Sequence, residues 1–93
     1  MTPQRREEIE SGTVLVAYGN DENFARAQFR EELDLARSRK IPIVLILKAG
    51  TRLPEGTLQG IGTVMLAKSQ HEVSVLTLQV IKALRSKGLI PLP

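Results

Sequence analysis

Apolar residues in this chain occur in two patterns. Three short aliphatic runs alternate with longer stretches in which apolar positions recur every three or four residues, as strands and helices do in turn. The runs are 13–18 (TVLVAY), 43–47 (IVLIL) and 63–67 (TVMLA), each rich in β-branched residues and too short for a helix. Gly12 and Gly19 bound the first. Pro42 stands at the entry of the second, a place a strand tolerates it, and the unbroken aliphatic character of 43–47 predicts the most central strand.

Between the runs the signals are helical. Thr2, Pro3 and Gly12 supply a cap, a first helical residue and a stop for a short helix through Ile9. Asn20 is placed to cap a helix over 21–39, with Asp21 and Glu22 in its first turn where carboxylates meet the positive end of the dipole. Ser69 and Glu72 form a capping box ahead of a helix over 70–87, and Gly88 followed by Leu89 has the form of a glycine C-cap. The segment 48–61 carries Gly50, Pro54, Gly56 and Gly60 and reads as a loop with a helical turn after Pro54, long enough to serve as a binding loop. No structure is assigned to 89–93.

Strands alternating with helices predict an α/β domain spanning 1–93: a small parallel three-stranded sheet with right-handed crossovers and covering helices. Three strands are few for a parallel sheet, and a chain of 93 residues buries a modest share of its surface. A bare sheet edge, and with it self-association or a partner, is the expectation.

Composition narrows the chemistry. There is no cysteine and one histidine, His71, so a metal site is not expected, nor is a resident cofactor. The net charge of +3 comes from scattered Lys and Arg, and only Tyr18, Phe24 and Phe29 could stack on a base, which disfavours nucleic acid as a partner. No apolar run approaches the roughly 20 residues that span a bilayer, and 1–10 is too polar for a secretion signal, so no membrane association and a cytoplasmic location are expected.

One residue breaks the pattern. On a wheel of about 100° per residue with Ala25 at zero, Phe29, Leu33 and Ala36 lie at about +40°, +80° and +20°, and Glu32 falls among them at about −20°. Gln28 lies at about −60°, one turn before Glu32 and stacked on it. A carboxylate turned inward must raise its pKa or find donors, and such groups are frequent in working sites. Glu32 is the candidate catalytic residue. The competing reading is a Glu at the helix margin, reaching water or an Arg. The turn at 19–23, at the carboxyl end of a strand, is the usual place for a ligand crevice, which makes Gly19 and Asn20, with Gln28, candidate nucleotide contacts. Asp21 and Glu22 would repel a phosphate there, so a ligand would present its sugar. His71 reads as a surface residue and Tyr18 as packing.

Ile9 to Ser11, Val14 to Tyr18, Glu32, Leu33, Ala36, Lys40, Pro42, Ile43, Leu53 and Pro54 together resemble the second half of a TIR domain. That resemblance implies a flavodoxin-like, TIR-like sheet lacking the usual first strand and helix, with Gln28 in the place of a Trp. It also implies that Glu32 is the glutamate that supports cleavage of the nicotinamide glycosidic bond, with NAD as substrate, and that the loop 48–61 acts as the lid. The stretch is similar as well to the nucleoside deoxyribosyltransferase-like group, whose nucleophilic Glu precedes a Lys-x-Pro strand. Three functions follow as expectations: nucleotide handling through Glu32, a non-catalytic module associating with copies of itself or other TIR-like domains, and a deoxyribosyltransferase-like activity.

Overall fold

Local signals set most of the elements. In the computed structural model, which describes residues 1–89 and 91–92, Thr2 Oγ1 accepts the Arg5 amide at 3.2 Å and opens helix α1 (Pro3–Ser11). The chain then forms strand β1 (Val14–Gly19), helices α2 (Asp21–Ala25) and α3 (Ala27–Ser38), strands β2 (Ile43–Lys48) and β3 (Thr63–Ala67), and helix α4 (Gln70–Ser86). Ser69 caps α4 through the Glu72 amide at 3.2 Å. At its other end Gly88 adopts φ +77° and the Leu89 amide returns to the Leu84 carbonyl at 3.0 Å, the 6→1 bond of a glycine cap.

The fold is α/β, an all-parallel sheet of three main strands, edged by a short fourth, with helices on both faces. Its centre is β2, paired with β1 from Leu15↔Ile43 to Gly19↔Leu47 and with β3 from Val44↔Thr63 to Lys48↔Ala67. A two-residue strand β4 (Pro91–Leu92) adds to the outer side of β1 at Val14 and Leu15, a pairing the sequence did not signal. Alternation along the strands divides the core. Leu15, Ile43, Leu45 and Leu47 face α1, α2 and α3 together with Ile9, Phe24, Leu33 and Ala36, while Val14, Val16 and Ile46 face α4 through Val73.

The predicted single helix over 21–39 is two helices. Arg26 lies between them in an extended conformation, φ −85° and ψ +125°. Side chains five apart point about 140° from each other on an unbroken helix, so Phe24 and Phe29 could not meet. With the break they do, edge to face, ring centroids 5.2 Å apart at 87°. Phe24 is thereby buried against Gly19, where even a Cβ would come within 2.8 Å of its ring.

The loop 49–62 is a series of tight turns, with the Thr57 amide on the Pro54 carbonyl and the Gln59 amide on the Gly56 carbonyl, each at 3.1 Å. Arg37 of α3 fastens it by donating to the carbonyls of Gln59, at 2.7 Å, and of Thr57.

Candidate functional site

Glu32 owes its position to α3. It lies about 60° and 40° around the helix from Leu35 and Ala36, both buried, on the side against which α1 packs. Arg5, one helical turn before the buried Ile9 and so on the same face of α1, reaches across: its Nε donates to Glu32 Oε1 at 2.6 Å. The two side chains are 23% and 18% exposed. A carboxylate so far withdrawn from water needs donors, and Arg5 is the principal one. The same guanidinium approaches Glu8 Oε2 at 3.3 Å. Glu32 Oε2 is less engaged, with Gln28 Nε2 at 3.4 Å.

Beside this pair lies a cleft of about 330 Å³, at the lower end of the roughly 300–1,000 Å³ found for small-molecule sites. It takes in Leu15, Val16, Ala17 and Tyr18 of β1 and no residue of β2, so it runs along the outer edge of that strand. Phe29 and Leu33 add apolar wall, and Arg5, Glu32, Gln28, Asn23 and Arg26 add polar groups. Asn23 Nδ2 donates to the Tyr18 carbonyl at 2.8 Å, and Arg26 pairs with Glu22 at 2.6 Å. Tyr18 directs its hydroxyl away, donating to Gln70 Oε1 on α4 at 3.0 Å.

The structure gathers only some of the residues singled out in the sequence. Glu32 and Gln28 share the cleft, Gln28 as an exposed rim residue in the first turn of α3. Gly19 is buried against Phe24 and Leu47 and does not line it. Asn20 accepts the Asn23 amide at 2.7 Å as the cap of α2 and borders a separate depression with Asp21, Lys48 and Thr51. The loop expected to act as a lid borders another depression, between Phe24, Arg30 and Arg37, and is fastened away from Glu32. Among the described residues no cluster of His, Asp and Glu is arranged to hold a metal ion, and no helix is long and apolar enough to cross a membrane.

Sequence reasoning missed Arg5, and it placed Phe29 on the apolar face of the helix and among the three aromatics able to stack on a base without assigning it to the Glu32 cleft. The signal for Arg5 was its spacing of four from Ile9, the one buried position of α1. No protein-family model matches the chain, nor does any curated protein or solved structure.

Proposed function

We propose that this domain cleaves the N-glycosidic bond of NAD or a related pyridinium nucleotide, with Glu32 stabilising the sugar cation. The observation that supports it is the half-buried Glu32 carboxylate, which lines the cleft with Oε1 anchored by Arg5 and Oε2 held more loosely, by Gln28 at 3.4 Å. Heterolysis leaves the bonding pair on the pyridinium nitrogen, which becomes neutral and departs without a proton. Positive charge develops at C1′, where a fixed carboxylate lowers the barrier. Water then adds to C1′ and releases a proton to solvent.

The composition of the cleft favours this substrate over a neutral nucleoside. A neutral base leaves well only when an acid protonates it. Among the described residues Glu32 is the one carboxylate of the cleft, and the Tyr18 proton is committed to Gln70. The small volume suits the nicotinamide riboside end, with the remainder of a dinucleotide outside.

A second reading, a module that associates with copies of itself or TIR-like domains, is favoured by β3. That strand has no partner on its outer side among the described residues, and it exposes Val64 and Leu66, the latter 65% accessible. Bare, apolar strand edges invite association.

The test is to incubate the chain with NAD and, separately, with 2′-deoxyadenosine, and to quantify free base. Nicotinamide from the first and no adenine from the second supports the proposal. Adenine release supports the deoxyribosyltransferase-like reading. No base from either, with a mass that rises with concentration in sedimentation, supports the interaction module.

A further inference from the structure

We infer that β3 is the surface through which this domain pairs with a second copy of itself, the two β3 strands meeting antiparallel about a two-fold axis at Met65 so that their sheets join into one. This rests on the second reading above for the fact of association and supplies its geometry; it asks nothing of Glu32.

The backbone of β3 fixes which groups are on offer. The Ala67 carbonyl accepts the Ala49 amide at 2.8 Å, from the β2 side. Backbone polar groups alternate sides along a strand, so those of Thr63 and Met65 also face β2, while those of Val64 and Leu66 face outward. Among the described residues no strand pairs with them. Their side chains stand on the face shared with Leu45 and Leu47. There α3 packs over β2, and the turns of 49–62 leave Val64 and Leu66 exposed. Natural proteins guard such an edge with a charge, a proline or a bulge. Residues 63–67 contain no charged residue and no proline, and their register against β2 is unbroken.

The strand complements itself. An antiparallel pair centred on Met65 sets Val64 of each copy opposite Leu66 of the other, and these are the residues whose amides and carbonyls face outward. Every outward group is then bonded, and the Val64 and Leu66 side chains of both copies gather on one face. Thr63 lies opposite Ala67, and Lys68 opposite Gly62. The two Lys68 positions thus stand about 20 Å apart at the rise of a strand, where salt screens their repulsion. A slip of two residues sets Lys68 against Val64 in one direction or Gly62 against Leu66 in the other. A slip of one turns outward groups toward residues already bonded to β2. A two-fold contact closes on itself, so assembly stops at a pair whose sheet runs β4-β1-β2-β3 into β3-β2-β1-β4.

The experiment uses the full chain. Sedimentation over a wide concentration range is expected to show a monomer and dimer in equilibrium, with a dissociation constant on the order of tens of micromolar, as befits an interface of two short strands. Leu66→Lys, at a position already open to solvent, should weaken the dimer about tenfold or more. Register is read by crosslinking, since the chain has no cysteine of its own. Across the axis the Met65 α-carbons would lie about 4.5 Å apart as a non-hydrogen-bonded pair, within disulfide reach. Those of Thr63 would lie about 14 Å apart, beyond it. With oxidised glutathione, Met65→Cys should form a covalent dimer and Thr63→Cys should not. A wild-type chain that stays monomeric at every concentration, a readout that needs no variant to fold, overturns the inference and the interaction reading together. Association that Leu66→Lys leaves unchanged, that grows past the dimer, or that links through Thr63→Cys or through neither variant overturns this pairing alone, and the interaction reading then stands on another surface. Cleavage of NAD is untouched by either result.

Discussion

Arg5 and Glu32, 27 residues apart in sequence, meet through a 2.6 Å hydrogen bond that joins α1 to α3 and forms one wall of the cleft. Neither side chain is fully buried, so the pair lies between a surface ion pair, which contributes little, and a buried one, whose breakage is severe. Arg5→Met should therefore destabilise the domain by about 1–2 kcal/mol in urea denaturation. Glu32→Gln, which keeps the shape and a neutral acceptor, should cost less. A double-mutant cycle showing no coupling between the positions would contradict the contact.

Gly19 is a second point of sensitivity. An added Cβ would lie 2.8 Å from one Phe24 ring carbon and 3.1 Å from Leu47. Gly19→Ala should lower stability by about 1–3 kcal/mol through overpacking. Gly62→Ala, where the added methyl meets nothing within 4 Å, should be neutral or slightly stabilising. Thermal or urea unfolding of the two variants side by side checks the contrast.

Arg37 ties the turns at 57–59 to α3 and also pairs with Asp34 at 2.9 Å. A lysine cannot donate in the same fork to two carbonyls. Arg37→Lys should leave the sheet intact but speed amide exchange across 55–61, and it should leave ligand binding in the Glu32 cleft unchanged. Slower binding or loss of affinity in that variant would restore the loop as a lid.

The parallel order of the strands, the central place of β2 and the caps at Thr2, Asn20 and Ser69 were legible because each rests on contacts a few residues apart or on simple periodicity. Glu32 stood out for the same reason: its phase within α3 survives the break at Arg26. The break itself was not legible. No Gly or Pro marks it, and it goes together with the contact of Phe24 with Phe29 and Gly19, which a wheel drawn as one helix cannot represent. Arg5 was hidden because its partner lies in another element, and periodicity within α1 reports only that Ile9 faces inward. The short pairing of β4 with β1 carries no pattern of its own, since two residues cannot display alternation.

The most direct measurement is the rate of nicotinamide release from NAD by the wild-type chain and by Glu32→Gln, with both shown to be folded by their amide spectra. The proposed function predicts measurable release by the wild type and a drop of about a hundredfold or more in the variant. Equal rates in the two proteins, or none in the wild type at any protein concentration, would contradict it.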